Sequence, residues 1–168
     1  MRRKSGLLSL CLAALVLSGC GYYSTTSRTA KDIKSVYVPF FSNETTQPDL
    51  DIQVTEAVVD DLVDDNTLKV VSEDQADAIL QGRIVAFENR PFSFNVELDA
   101  QEYVVRIRVV ASLYKRRTNE PLWENLTIEG TSTYFVEPQE GENDFDAAVD
   151  QAVFIITERV LNLTVQDW

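Results

Sequence analysis

One cysteine carries the most specific chemistry in this sequence. Cys20 closes the tetrad Leu17-Ser18-Gly19-Cys20, behind an apolar run from Leu7 to Leu17 broken only by Ser9 and a basic start of Arg2, Arg3 and Lys4. A run of that length is too short to cross a bilayer as a stable helix, so residues 1–19 read as a secretory leader. The small pair Ser18-Gly19 ahead of a cysteine marks cleavage of the bacterial lipoprotein type. There the thiol of Cys20 takes a diacylglyceryl group, the leader is cut before it, and the new amine is acylated. At about 0.8 kcal/mol per buried CH₂, several chains on one residue give lasting attachment where one would not.

The remaining reactive inventory is narrow. There is no histidine, Cys11 leaves with the leader, and the sole methionine is Met1. That removes Cys/His zinc sites, Ser-His-Asp and Cys-His nucleophiles, and haem ligation by histidine or methionine. No glycine-rich phosphate loop is present, so the sequence implies no cofactor and no metal site. Acidic clusters at Asp60-Asp61, Asp64-Asp65 and Glu137 to Asp146 leave carboxylate chemistry open in principle, including a carboxylate-dependent glycan hydrolase. Adjacent acids on a helix point apart, however, so these read as solvated surface and no catalytic residue is assigned.

Basic residues are the other candidates. Removing Arg2, Arg3 and Lys4 from the 15 basic residues leaves 12 against 27 acidic ones, a mature net charge of −15. Nucleic acid is therefore no partner, and membrane attachment must come through the acyl chains rather than through adsorption to anionic lipid. Within so acidic a chain, Lys115-Arg116-Arg117 is the densest basic cluster, and Arg83, Arg106 and Arg108 share the wet face of the expected sheet. Guanidiniums so placed suit phosphate or carboxylate groups. Phe154 and Leu161, seven apart on a helix, form a candidate partner patch.

These residues need elements to hold them. With 168 residues and 45% hydrophobic content, the chain can build one core without disulfides. Residues 20–34 are polar and read as a lipid-anchored tether, and 35–168 as a single domain. Ser35 to Phe40 reads as a strand. Leu50 to Asp64 has helical period through Val54, Val58 and Leu62, widened by Ile52, Val59 and Val63, with Asp49 as its N-cap. Acids at its C-terminal end predict a frayed last turn. Leu68 to Val71 is a second short strand, parallel to the first across the helix. Three longer strands follow, over Ala78 to Glu88, Glu102 to Tyr114 and Leu122 to Phe135. In the second, Tyr103, Val105, Ile107, Val109, Ala111 and Leu113 alternate with Val104, Arg106, Arg108, Val110, Ser112 and Tyr114, giving one packed and one wet face. In the third, Leu122, Leu126, Ile128 and Tyr134 oppose Asn125, Thr127, Glu129, Thr131 and Thr133, and Glu129 can pair across strands. Arg90 to Ala100 is a longer connection, and Lys115 to Pro121 a hairpin with a basic tip. Asp144 caps a final helix running to about Asn162. The expected fold is α+β, a two-layer sandwich with two helices packed on one face of a four- to five-stranded mixed β-sheet.

Several short motifs then fall in order along the chain: Cys20-Gly21-Tyr22, Val36-Tyr37-Val38-Pro39-Phe40-Phe41-Ser42-Asn43 with Thr45 and Pro48, Ala76-Asp77-Ala78-Ile79-Leu80-Gln81-Gly82, Glu102-Tyr103, and Leu122-Trp123-Glu124. In this the sequence resembles the LPS-assembly lipoprotein family, LptE, over most of the mature chain. The resemblance implies a non-enzymatic outer-membrane lipoprotein on the periplasmic side. Such a protein sits largely within the lumen of the β-barrel LptD, assists its assembly and helps lipopolysaccharide to the outer leaflet. It also implies lipopolysaccharide binding by basic residues near the central strands. Here the chain departs from the family, because Glu97 and Asp99 precede Glu102-Tyr103 and no base stands between Arg90 and Arg106. Gly21 after the cysteine, in place of an aspartate, favours outer-membrane sorting. A structural lipoprotein of another envelope system, such as an oligomeric secretion-channel component, is the alternative that shares the strand–helix–strand plan.

Overall fold

A computed structural model describes residues 33–94, 96 and 99–165. The leader, Cys20, the tether up to residue 32, and Glu97 lie outside the described residues. In chain order the elements are β1 (Ser35–Tyr37), β2 (Ser42–Asn43), α1 (Leu50–Asp65), β3 (Lys69–Val70), a 3₁₀ turn (Glu73–Gln75), β4 (Ala78–Phe94), β5 (Ala100–Lys115), β6 (Pro121–Phe135) and α2 (Phe145–Val165). The sheet order is β3-β1-β4-β5-β6, and β2 pairs with β4 further along the same edge. β1 is parallel to β3 and to β4, whereas β4, β5 and β6 form an antiparallel meander. Two helices on one face of a mixed sheet is the expected α+β sandwich, with the two-residue β2 added.

One core lies between the layers. Val105, Ile107, Val109, Ala111 and Leu113 point from β5 toward the helices and are buried. They meet Leu50, Val54, Val58 and Leu62 of α1 and Ala148, Ala152, Val153, Ile156 and Val160 of α2. Two glycines let the layers close. A Cβ on Gly130 would fall 1.9 Å from the Ala152 carbonyl oxygen, so the α2 backbone rests directly on β6 there. A Cβ on Gly82 would fall 2.1 Å from the ring of Phe41, which is buried over β4. The Phe41 N–H donates to Thr55 Oγ1 at 3.0 Å, fixing this segment to α1.

Five sequence expectations change. The last turn of α1 is not frayed: Asn66 takes a left-handed conformation (φ 56°) and its N–H donates to the Leu62 carbonyl, a closure asparagine tolerates well. Asp49 precedes the helix but makes no side-chain cap bond, while Asp144 Oδ1 does accept the Ala147 N–H at 2.9 Å. Ile52 and Val63, expected to widen the buried stripe of α1, are 42% and 55% exposed. The stretch Arg90 to Ala100 is mostly strand, since β4 continues to Phe94 and β5 begins at Ala100. Pro91 fits there because, among the described residues, the opposite edge of β4 has no strand neighbour needing its missing N–H at that level.

The fifth change comes from bulges. Strict alternation in β6 places Leu122 inward, yet Ala111 pairs with Leu126 while Leu113 pairs with Trp123. The extra residue is absorbed at Asn125 (φ 54°), whose N–H donates to Ser112 Oγ at 2.9 Å. Phase reverses there, so Trp123 enters the core and Leu122 packs only at its margin. A second bulge at Val85 shifts β4 against β5 between Ile84 and Ala86. Beyond it Phe87 turns toward the helices, and Glu88 takes the opposite face.

Candidate functional site

The side of the sheet away from the helices carries the expected arginines. Because of the Val85 bulge, Glu88 pairs with Arg106 across the strands, and Arg108 pairs with Glu129 on the other side. The four side chains close a ring of alternating charge. Arg106 Nη1 lies 3.4 Å from Glu88 and Arg108 Nη2 lies 3.4 Å from Glu129. Arg108 also reaches Glu88 at 3.8 Å, and Arg106 Nε lies 3.1 Å from Glu129 Oε1. The last contact is misaligned for a hydrogen bond, so it is purely ionic. Arg90 adds a fifth charge at 3.8 Å from Glu88. These side chains keep between 28% and 57% of their surface in water, so each pair contributes about 0–1 kcal/mol. The ring fixes orientation more than it stabilises the fold.

Arg83 stands apart and pairs with Glu44, just beyond β2, at 2.7 Å. Three of the six basic candidates are thus matched by carboxylates. Arg116 is committed otherwise: its Nε donates to the Ala76 carbonyl at 2.6 Å and its backbone N–H to the Asp77 carbonyl at 2.9 Å. It pins the hairpin tip to the start of β4. Among the described residues, Lys115 and the exposed Arg117 have no ion-pair partner, so unspent positive charge concentrates at this tip.

Asp77, from the Ala76-Asp77-Ala78 motif, ties the same end together. Its Oδ2 accepts the Lys34 N–H and the Ser35 hydroxyl, each at 3.0 Å. The Lys34 bond holds its pKa below the ordinary 3.8, against the opposing effect of burial and with help from Ser35 and the charge of Arg117. Ile33, two residues before β1, belongs to the core.

The opposite end is aromatic. Tyr103 stacks on Tyr134 at 5.5 Å, and Phe145 meets Tyr134 and Phe87 edge-on. Past this layer the hairpin of β4 and β5 outruns the helices, leaving Phe92, Phe94, Val96 and Val136 exposed. A concavity of about 520 Å³ there is walled by Asp99, Glu137 and Glu142 beside Phe135 and Val136, with no base in its lining. Phosphate is disfavoured at that end. Of the candidate partner patch, Phe154 is half exposed on α2, whereas Leu161 packs against the core margin. No described group of His, Cys, Asp and Glu is arranged to hold a metal, and no described helix is long and apolar enough to cross a membrane. Sequence reasoning missed Glu88 and Glu44: Glu88 falls opposite Arg106 only once the Val85 bulge is known, and Glu44 comes beside Arg83 only through the two-residue pairing of β2 with β4.

Two helices over one face of a mixed sheet is a fold shared with solved structures that include a bacterial lipoprotein. The uncharacterized lipoprotein B from Nitrosomonas europaea superposes with a TM-score of 0.52 at 22% identity, covering 79% of this chain and 84% of that one. The hypothetical protein CT253 from Chlamydia trachomatis gives 0.52 at 9% identity over 79% and 94%. The PelC dodecamer from Paraburkholderia phytofirmans gives 0.50 at 15% over 79% and 89%. At such identities these likenesses concern the fold alone. No curated protein matches the chain. The lipopolysaccharide-assembly family LptE matches residues 33–164, and the chain belongs to that family. It is a non-enzymatic lipoprotein family of the cell envelope, concerned with lipopolysaccharide assembly.

Proposed function

We propose that this chain is an outer-membrane lipoprotein that occupies the lumen of the LptD barrel, assists its assembly and helps pass lipopolysaccharide to the outer leaflet. Residues 1–19 are removed as a leader, Cys20 carries the acyl chains, residues 20–34 tether the domain, and 35–168 form it on the periplasmic side. The observation that carries this reading is the family match over residues 33–164. The open sheet face supports it physically, because a self-neutralised, hydrated surface suits a water-lined lumen better than a lipid or an apolar interface. Lys115 and Arg117 are the positions for phosphate or an acidic wall, with Arg116 positioning the tip they stand on. No step of bond chemistry is assigned to the chain, and the carboxylate-dependent hydrolase has no support in the family.

Affinity purification of the acylated chain from detergent-solubilised membranes tests the reading. A large β-barrel in equal stoichiometry is expected; a homo-oligomeric ring without a barrel overturns it in favour of a secretion-channel component. Reversing Lys115, Arg116 and Arg117 to Glu is expected to weaken barrel co-purification or lipopolysaccharide capture. Unchanged recovery of both removes the hairpin tip from the site.

A further inference from the structure

On the helix side, one groove is left unfilled by the described chain. Between the segment leaving β1 and the outer side of α1 lies a concavity of about 360 Å³ lined by Val38, Phe40, Thr55, Glu56, Val59 and Asp60. Phe40 is 68% exposed beside it, and the exposed Ile52 and Val63 extend the apolar stripe along α1 at helical spacing from Val59. Acids accompany the stripe. Glu56, Asp60 and Asp64 stand four apart, and α1 holds six acidic residues and no basic one. Among the described residues none of the six is ion-paired. Like charges at that spacing repel one another. The surface therefore fits a short peptide bearing aromatic and basic side chains.

We propose that its occupant is the chain's own segment Gly21 to Asp32, folded back along α1 as a latch. That segment offers Tyr22, Tyr23, Arg28 and Lys31 against the single acid Asp32, a basic stretch in a strongly acidic mature chain. The order of its chemistry matches the order along the helix. Ser35 pairs with Lys69, so the C-terminal acids of α1, just ahead of β3, lie at the level where the chain enters through Ile33. Traced back from there, Lys31 and Arg28 meet Asp64 and Asp60 first, and the tyrosines then meet Val59 and Phe40. The ten residues from Tyr23 to Ile33 can span up to about 35 Å. From Asp64 to Glu56 the helix rises only about 12 Å. A second copy of the chain fits worse, because two strongly acidic surfaces repel.

The latch needs no acyl group, but its consequence rests on the lipid reading of Cys20. A tether laid along α1 leaves almost no slack between bilayer and domain. It turns the α1 side toward the membrane and holds the arginine-bearing face away from it.

Disulfide trapping in the full-length chain tests the latch. With Tyr23→Cys and Glu56→Cys introduced together, mild oxidation in membranes followed by peptide mass mapping should give an intramolecular bond between the two new thiols. Thr127→Cys on the open face, in place of Glu56→Cys, should give none. Adding Arg28→Glu and Lys31→Glu should lower the yield about five- to tenfold, less so at high salt. Equal yields at the two positions, or bonds only between chains or to another protein, overturn the proposal. Hydrogen exchange without introduced cysteines gives an independent reading. Tyr22→Ala/Tyr23→Ala should speed exchange across residues 52–64 severalfold, and identical rates overturn the latch. A bond formed by an unacylated Cys20 to the Glu56→Cys thiol would instead sink the lipid reading and leave the latch standing.

Discussion

Ile107 and Arg108 are neighbours on β5, yet their surroundings share almost nothing. Ile107 has no exposed surface and meets the helix layer, while Arg108 keeps 36% of its side chain in water between two carboxylates. The same contrast runs across the whole sheet. On the covered face, Gly130 and Gly82 leave no room for even one more carbon. On the open face, long polar side chains meet at 3.1 to 3.8 Å and can rearrange. The covered face specifies the fold and tolerates little. The open face contributes little to stability and is available for contacts.

Substitutions can break this contrast. The largest effect is expected from Gly130→Val: it drives carbon into the α2 backbone, exceeds the roughly 1–3 kcal/mol of ordinary overpacking, and should abolish cooperative unfolding seen by circular dichroism. Ile107→Ala should cost about 2–5 kcal/mol in denaturant melts. Next to it, Glu88→Gln with Glu129→Gln should change stability by only about 1 kcal/mol. That pair uncovers Arg106 and Arg108, so it should strengthen lipopolysaccharide capture. A stability loss as large as that of Ile107→Ala would mean that the open face is structural after all. The smallest effect is at acid pH. Asp77 has a folded pKa below its unfolded one, so its contribution is present above the ordinary value of 3.8 and is lost as pH falls through the folded pKa. Asp77→Asn should flatten that part of a stability–pH profile; an unaltered slope would show that the Lys34 and Ser35 bonds do not matter.

The elements were legible because periodicity is a local signal. Val54, Val58 and Leu62 mark α1, the alternation of β5 runs unbroken, and Asp144 announces α2. Phase was not legible where a strand adds a residue. Nothing local at Val85 or Asn125 tells a reader that alternation restarts, so Trp123 and Glu88 land on faces that a strict count denies them. Arg116 shows a different limit. Its type suggested a free cation, but its use in holding the Ala76 carbonyl depends on a contact forty residues away. The unpaired basic charge at the tip therefore contracts to Lys115 and Arg117 only when the chain is seen folded.

Arg159, on α2, reaches over the last strand and donates from Nη1 to the Glu129 carbonyl at 2.8 Å, and Asn143 Nδ2 donates to the Thr133 carbonyl at 3.4 Å. Outermost strands left bare act as templates on which further molecules stack. Proteins crowded in two dimensions by lipid anchors face that hazard acutely. With two of its carbonyls already spoken for, β6 is a poor seed for aggregation, and the chain can expose a long meander without zipping onto its neighbours.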